Sequence, residues 1–463
     1  MAIDKGAFTS SIGFVLAAAG SAIGLGNIWR FPYLTAQHGG GLFLLVYLVL
    51  LLTFGIVMLT TEIAIGRKTK KSPLYAYNEL SPKGGWIGGL ATLIPFLIFP
   101  YYCVITGWVM KYCILFLFGA SNLATEPNFF TGFITSKFEP ILYLTIVLAT
   151  TSFVIYKGVA GGIERISILL MPLLFILIIG ISIFAITIHH EEGGVTRTGL
   201  QALAIYLTPN THEMTFVRFL QLCMAAVGQL FYSISIAMGI MVAYGSYFED
   251  KGNIFRSVSQ IAFFDTLVAF LAGIMIIVPF IVFMGEDALV TSGPSLLFVS
   301  VPKLFARMGA AGPIVGSVFF LMAFFAALTS AISLMEAVVA SLMERLSCSR
   351  EKATVVEGVL AFAVGLLVCL GYNVLYFECP LPTGSVGQIL DLLDFASCNI
   401  LMPIVAIATC ALIGWIVGTK TIVNEVTKNG ERFLLAPIYS FIIRYAAPII
   451  LFILLIQCLG IIK

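Results

Sequence analysis

The chain has 463 residues, 60% of them hydrophobic and 10% charged, with a formal net charge of +2. A soluble globular chain does not carry this composition, and so small a net charge argues against a nucleic-acid partner. We therefore interpret the chain as a polytopic membrane protein whose surroundings are the lipid bilayer.

Eleven apolar stretches are long enough to cross the core of a bilayer, which takes about 20 helical residues. The predicted spans, numbered 1 to 11, lie near residues 12–36, 41–66, 88–118, 140–156, 163–188, 216–246, 257–284, 312–345, 353–371, 386–417 and 433–461. The loops between them leave no room for a soluble domain. Residues 1–463 are therefore expected to form one domain of an all-α membrane protein.

The basic residues lie mostly on one side of these spans. If the N-terminus is cytoplasmic, sixteen Lys and Arg residues fall inside and six outside, in agreement with the positive-inside rule. We therefore expect a multi-pass protein of the cell (inner) membrane, with its N-terminus cytoplasmic and its C-terminus extracellular. Span 1 lacks the flanks of a signal peptide, so we expect it to be retained.

One of the loops that then lie outside, Pro294 to Gly309, has a helical pattern suited to a lid over the transport pathway.

The nine cysteines include no C-x-x-C pair, and most of them lie inside apolar runs. Small apolar packing is therefore a better interpretation of them than a metal or redox site. The four histidines are equally scattered, and we find no zinc or haem constellation and no organic cofactor site.

Spans 1 and 6 are interrupted at corresponding places. In "AGSAIGLGN" and "QLFYSISIAMG", the interrupting residues are Gly20, Gly24 and Gly26, and Ser233, Ser235 and Gly239. Unwound backbone at membrane depth is tolerated only where it lines protein or a cavity. The paired breaks thus indicate an inverted five-plus-five repeat around a central site. We expect repeats at 12–188 and 216–417, with the helix at 433–461 outside both.

The two breaks offer oxygen ligands. Freed carbonyls of span 1, the amide of Asn27 and the hydroxyls of span 6 suit a small hard cation and bind soft transition metals poorly. Half-helix N-termini at the same breaks can hold a carboxylate. A carboxylate beside cations is what a cation-coupled amino-acid transporter requires.

The motifs that surround these breaks resemble those of the neurotransmitter:sodium symporter family. They are "GSAIGLGNIWRFPY", "HGGG", "YLVLLLTFGIVMLTTEIAIGR", "PYYCVITGW", "GIERISILLMPLLF", "VGQLFYSISIAMG", "FFAALTSAISLMEA" and "DLLDF". The resemblance covers spans 1 to 11 and implies the fold of the family's bacterial leucine transporter, with spans 1 and 6 unwound. It also implies sodium-coupled amino-acid symport by alternating access, and no enzymatic activity.

Two sodium ions are implied by this resemblance. The first would be bound by the substrate carboxylate, the carbonyl of Ala22 and the side chains of Asn27, Ser233 and Asp265. The second would be bound by the carbonyls of Gly20, Ile23 and Ala326 and the hydroxyls of Thr329 and Ser330. The alternative for these two hydroxyls is a hydrogen bond to the preceding helical turn.

At position 265 this chain has Asp, whereas the better-known members of the family resemble one another in having Asn there. Placing a carboxylate in the bilayer core costs at least ~2.5 kcal/mol, so the group needs a partner. We expect this partner to be sodium. Tyr47, Gln229 and Ser233 match the chloride neighbourhood of the chloride-dependent relatives, whereas Ala269 does not. We therefore expect transport without chloride, with protonation of Asp265 on the return step left open. The alternative is a buried Asp that caps a broken helix.

Two further acids lie in apolar spans. The resemblance suggests that Glu62 accepts a hydrogen bond from the unwound backbone of span 6. Glu336 either braces the breaks or handles ions or protons directly.

The substrate carboxylate would be held by the backbone around Ala22, Gly24 and Gly26 and by the hydroxyl of Tyr102. Amine carriers of the family have Asp where this chain has Gly24, so the substrate is expected to bring its own carboxylate. The implied pocket wall consists of Ile98, Tyr102, Tyr232, Ser235, Met238, Ser330 and Leu334. A mostly apolar wall favours a neutral hydrophobic amino acid, either bulky aliphatic or aromatic, although Ile98 and Leu334 fit ordinary core packing equally well.

Two gates follow from the resemblance. Arg30 and Asp394 would form the outer gate, above an aromatic lid of Tyr102 and Tyr232. Lys5, Tyr247 and Glu344 would form the inner gate. The inner pattern is weaker, because Lys5 replaces the usual arginine and Phe8 the usual tryptophan, so we expect this gate to open more readily.

Two other functions remain open. A proton-coupled carrier would work through Asp265 or Glu336, and an amino-acid-gated channel or receptor could use the same scaffold. An intramembrane enzyme would need a Ser–His or paired-Asp site in register, which the spans do not offer. Longer relatives have a twelfth span, which we do not expect in this protein, and the oligomeric state is left open.

Overall fold

The computed structural model describes residues 6–192, 194–211, 214–285, 294–382, 384 and 386–461. In this part of the chain, ten helices are long and apolar enough to cross a membrane, and the bent pair Ser11–Ala22 and Gly26–Gln37 supplies an eleventh. The bent pair is span 1, and spans 2 to 11 are Gly41–Thr69, Pro82–Leu117, Glu139–Tyr156, Val159–Thr187, Phe216–Ser233, Ile254–Met284, Gly309–Leu346, Arg350–Leu370, Ile389–Val417 and Ala436–Cys458. The eleven predicted spans are thus confirmed.

Both predicted interruptions are present. The two halves of span 1 meet at an angle of 55°, and Ile23 between them is extended, with φ −78° and ψ 97°. Span 6 stops at Ser233 and resumes as a short helix, Ile240–Ser246. Between these helices Ser235, Ala237 and Gly239 have φ of 54°, 63° and 70°, which no α-helix can contain. Spans 1 and 6 are therefore unwound at their centres.

We call the side of the bundle that holds Ser11 the inner side and the side that holds Gln37 the outer side. Span 8 packs along spans 1, 3, 5 and 9, and the inner half of span 1 packs between spans 5, 7 and 8. The buried core surrounds these spans and the two breaks. The breaks therefore lie where the backbone is shielded from lipid, as unwound backbone requires.

Short elements connect the spans. They are the helices Pro73–Leu80, Ser121–Thr125, Phe129–Ile134, Gly199–Leu207, Leu296–Ser300, Val301–Arg307 and Thr419–Val426, and the hairpins His189–Glu192 with Val195–Thr198 and Cys379–Pro380 with Val386–Gly387. Only the pair of helices at Leu296–Arg307, inside the expected lid, was predicted. Phe298 in this pair is fully buried, and its carbonyl accepts a hydrogen bond of 2.9 Å from the Tyr112 hydroxyl of span 3.

The predicted bounds of some spans are wrong by several residues. Span 3 begins at Pro82 and not near 88, because the single helical turn Pro82–Gly84 leads directly into the helix Gly85–Leu117. Proline is well tolerated in the first turn of a helix, so Pro82 does not prevent the helix from beginning there. All nine cysteines lie in the described chain and are free thiols.

Candidate substrate and ion site

A cavity lies at the two breaks, between spans 1, 3, 6 and 8. All ten residues predicted to bind the substrate line it: Ala22, Gly24, Gly26, Ile98, Tyr102, Tyr232, Ser235, Met238, Ser330 and Leu334. The sequence analysis did not assign Ser21, Leu25, Asn27 and Ile240 to the wall, which the structure adds. No side chain with a formal charge belongs to this lining in the described chain.

One wall of the cavity adjoins a buried polar cluster centred on Asp265. The Asn27 Nδ2 donates to Asp265 Oδ1 at 2.7 Å, and the Ser233 hydroxyl donates to the same oxygen at 2.7 Å. The Tyr47 hydroxyl lies 3.4 Å from the other carboxylate oxygen. Three residues predicted to bind the first sodium ion are therefore in direct contact, and Ala22 lies on the adjoining wall.

A second group of oxygens lies where the break in span 1 meets span 8. The Ser330 hydroxyl donates to the carbonyls of Gly20 and Ile23, at 3.2 and 3.3 Å. The neighbouring Thr329 hydroxyl donates within its own helix, to the Ala326 carbonyl at 3.1 Å. All five residues predicted for the second sodium ion are thus brought together. Thr329 bonds its own helix as the alternative interpretation supposed, whereas Ser330 reaches across to span 1.

The outer half of span 1 begins at the cavity and points the N-terminal end of a helix into it. The Leu25 N–H lies 3.4 Å from the Tyr102 hydroxyl, and the Gly24 N–H donates to Asn27 Oδ1 at 3.2 Å. At Gly26, an added Cβ would lie 2.4 Å from the Tyr232 ring. Only glycine therefore lets Tyr232 lie against the break, beside a helix end that favours a negative group.

Glu62 of span 2 stabilises the break in span 6. This fully buried side chain accepts a 2.7 Å hydrogen bond through Oε1 from the Ala237 N–H, as predicted. Ala237 has a left-handed backbone conformation that residues other than glycine seldom adopt. The hydrogen bond thus holds an unfavourable backbone conformation in place.

We expect Glu62→Ala to lower the free energy of unfolding by about 1–3 kcal/mol, because it leaves a buried N–H without an acceptor. Glu62→Gln retains an acceptor oxygen of the same shape, so it should lose much less. The melting temperature of the purified protein in detergent measures both changes. Glu79→Ala, at an exposed position on Pro73–Leu80, is the control. Equal melting temperatures for Glu62→Ala and Glu79→Ala would contradict this role.

The two residues of the predicted outer gate have other partners in this conformation. The Arg30 guanidinium lies over the Tyr232 ring, 5.5 Å from its centre, and Asp394 accepts a hydrogen bond of 2.9 Å from the Tyr101 hydroxyl. Although both belong to the described chain, Arg30 and Asp394 do not form an ion pair with each other. Arg30 and Tyr232 also line a larger outer cavity with about 1,380 Å³ of empty space. Tyr232 therefore separates the outer cavity from the central one.

The described residues of the predicted inner gate lie at the inner side of the bundle, and their expected gating role stays a prediction. Lys5 lies outside the described residues. The Tyr247 hydroxyl donates to Glu336 Oε1 at 2.6 Å, whereas Glu344 accepts from the backbone N–H of Ser72 at 3.1 Å. Arg350 completes the first group by pairing with Glu336 Oε2 at 2.6 Å. These contacts support the bracing interpretation of Glu336.

Glu164, at the start of span 5, holds the inner end of span 1 and was missed by the sequence analysis. Its buried carboxylate accepts hydrogen bonds from the N–H and the hydroxyl of Thr9, both at 2.8 Å, and from the Ser10 hydroxyl at 2.9 Å. Phe8 beside it is buried against the ring of Tyr247. The acid in "GIERIS" was the available signal, but its partners lie more than 150 residues away in the sequence.

Comparison with known proteins agrees with this geometry. The model of the sodium:neurotransmitter symporter family matches residues 5–124 and 130–463. The chain belongs to this family. Similar proteins include the uncharacterized sodium-dependent transporter YhdH of Bacillus subtilis, 31% identical over 98% of both chains. The human sodium- and chloride-dependent GABA transporter 2 is 26% identical, with 92% of this chain and 75% of the transporter covered.

A solved structure of another protein has the same fold. MhsT, crystallised in complex with L-phenylalanine, superposes with a TM-score of 0.83 and is 32% identical, covering 98% of this symporter and 99% of MhsT. The expected inverted-repeat fold of the leucine transporter is thereby confirmed. Family membership makes this symporter a sodium-dependent membrane transporter.

Proposed function

We propose that the protein carries one neutral, bulky hydrophobic L-amino acid, aliphatic or aromatic, into the cell together with two sodium ions and without chloride. The observation that carries this proposal is the uncharged cavity at the two breaks, which joins an apolar wall to the Asp265 cluster and to a helix N-terminus. An apolar side chain fits the wall, and a carboxylate fits between the helix end and a bound cation.

The wall favours an amino acid over an amine. Gly24 offers no carboxylate of its own, and within the described lining no basic or acidic side chain could pair with a charged substrate side chain. Met238 belongs to the apolar part and can change rotamer to admit a large group. The complex of the similar protein MhsT with L-phenylalanine supports an aromatic substrate.

Two groups of oxygens support two sodium ions. One is the Asp265 cluster, and the other joins Ser330 to the freed carbonyls of span 1. Carboxylate, amide, hydroxyl and carbonyl oxygens are ligands that hard cations prefer. When ionised, Asp265 supplies a full negative charge within the first group, which supports transport without chloride.

Alternating access would proceed by rocking spans 1, 2, 6 and 7 against the rest. The outer cavity reaches Tyr232, while the inner end of span 1 is held by Glu164. We propose that the inner side faces the cytoplasm, because basic residues such as Arg67, Arg165 and Arg345 lie at span ends on that side. Two sodium ions moving down about 100 mV would supply about 4.6 kcal/mol, enough for about 1,000-fold accumulation.

Uptake by proteoliposomes tests the proposal. With an inward sodium gradient, radiolabelled L-phenylalanine should accumulate above its external concentration, equally in chloride and gluconate salts. Choline should not replace sodium. Uptake that persists in choline and follows an imposed pH gradient would instead identify a proton-coupled carrier. Uptake that reaches the external concentration and never exceeds it would identify a channel.

Competition then defines the substrate class. Leucine, isoleucine, methionine, tyrosine and tryptophan should displace labelled phenylalanine. Lysine and glutamate should not, and neither should β-phenethylamine, which is phenylalanine without its carboxylate. Displacement by this amine as strong as that by phenylalanine would contradict the proposed role of the helix end at Gly26.

A further inference from the structure

One buried acid has no place in the transport site. Glu357 is the eighth residue of span 9, about 10 Å along the helix axis from its first residue. It is fully buried, and neither of its carboxylate oxygens has a hydrogen-bond partner among the described residues. The sequence analysis passed over it as part of an apolar span.

Three other buried acids of the spans each have at least one partner, although the Oε2 atom of Glu62 has none among the described residues. Asp265 accepts from Asn27 and Ser233, Glu336 pairs with Arg350, and Glu62 accepts from a backbone N–H. An ionised carboxylate without a partner is far too costly in an apolar environment, and such a group takes up a proton instead. The absence of any compensating contact at Glu357, within the described chain, therefore indicates a neutral carboxylic acid.

The helices around Glu357 bring no compensating charge. Span 9 packs against spans 3, 4 and 8. Span 3 contributes the buried thiol of Cys103, which lies near Glu357 and carries no positive charge. Span 8 contributes Glu336, which is already satisfied by Arg350 and by the Tyr247 hydroxyl. Among the described residues of span 4, Glu139 pairs with Lys111 at the outer end of that span.

We propose that Glu357 is a proton-binding site inside the scaffold, loaded with one proton in this conformation. Loss of this proton to water at alkaline pH leaves a bare carboxylate between spans 3, 8 and 9. That charge draws water in and separates the helices, which lowers both stability and transport. The site goes beyond the proposed amino-acid transport and is distinct from Asp265.

Spans 3 and 8, which pack against the helix that carries Glu357, also form walls of the central cavity. Cys103 follows Tyr102, which lines the central cavity from span 3. Span 8 carries Ser330, which lines the same cavity and contacts the break in span 1. Separation of spans 3 and 8 from span 9 would therefore displace two walls of the cavity.

Thermal melting of the purified protein without substrate tests the proton site. Melting is followed from acidic to alkaline pH. The unfolded state releases the Glu357 proton as an ordinary glutamate does, whereas the folded state keeps it, so stability falls as pH rises. Glu357→Gln mimics the protonated acid, so its melting temperature should fall less with rising pH than that of the wild type. Glu357→Asp keeps a titratable acid, so its melting temperature should fall as in the wild type. The matched control is Glu351→Gln, at an exposed position on the same helix, which should melt like the wild type at every pH.

Sodium-driven uptake over the same pH range is the second readout. Wild type and Glu357→Asp should lose uptake at alkaline pH, while Glu357→Gln should retain it. Melting and uptake curves of Glu357→Gln that coincide with wild type over the whole range would overturn the proposal. If no variant takes up phenylalanine, wild type included, the proposed function fails, and the melting curves still decide whether Glu357 binds the proton.

Discussion

Asp265→Asn is expected to weaken sodium binding by about 100-fold or more. The carboxylate is fully buried, and its oxygens face the amide of Asn27 and the hydroxyls of Ser233 and Tyr47. A cation bound among these groups would face one full negative charge from the protein. Removing one member of a buried charge pair costs about 3–5 kcal/mol, because the remaining charge is left uncompensated.

Sodium affinity is measured without substrate, by following melting temperature against sodium concentration in chloride and in gluconate. Asp250→Asn is the control, because Asp250 lies in an exposed loop on the inner side and pairs with Lys70 at 3.2 Å. That variant should bind sodium like the wild type. Unchanged sodium affinity in Asp265→Asn, in both salts, would show that the first ion does not depend on this carboxylate.

Gly24→Asp is expected to abolish phenylalanine binding, with at least about a 100-fold loss of affinity. An added Cβ at Gly24 would lie 3.0 Å from both the Ser330 and the Tyr102 hydroxyl oxygens. A carboxylate on that Cβ would therefore stand where we propose that the substrate carboxylate binds. Two like charges at one point in a buried site repel each other strongly.

Three variants separate charge from size at this position. Gly24→Asn has the shape of Gly24→Asp without its charge, and Gly24→Ala adds only the Cβ. Equilibrium binding of labelled phenylalanine in saturating sodium should weaken in the order Ala, Asn, Asp. Size-exclusion profiles confirm that each variant is folded. Phenylalanine affinity in Gly24→Asp equal to that of the wild type would place the substrate carboxylate elsewhere.

The spans and their breaks were predictable because each depends on a local property of the sequence. Apolar length predicts a span, and Gly20, Gly24 and Gly26 inside an apolar run predict an interruption. The ten residues of the cavity wall followed from the family motifs, and all of them line one cavity. The roles assigned to them remain predictions.

Contacts between distant side chains could not be predicted in the same way. The sequence offers several acids near the inner ends of spans, and spacing cannot show that Tyr247 bonds Glu336 while Glu344 bonds Ser72. Nor can it show that Glu164 reaches Thr9 across the bundle. The short connecting helices other than those at Leu296–Arg307 were missed because, at nine residues or fewer, they are too short for a clear hydrophobic period.

Arg30 and Asp394 illustrate a different limit. Their expected pairing belongs to a closed outer gate, whereas this conformation places Arg30 over Tyr232 and Asp394 beside Tyr101. The same sequence adopts several conformations during a transport cycle, and one structure shows only one of them. A pairing predicted from the sequence can therefore belong to a conformation other than the one described.

Ser330 belongs both to the cavity wall and to the second group of oxygens, and this shared position bears on how the two ligands bind. One hydroxyl lines the central cavity and also contacts the carbonyls of Gly20 and Ile23. If an ion and an amino acid both depend on this residue, their binding equilibria are linked. Linkage is reciprocal: the factor by which saturating sodium tightens amino-acid binding must equal the factor by which the amino acid tightens sodium binding. A serine shared in this way makes each ligand a heterotropic effector of the other.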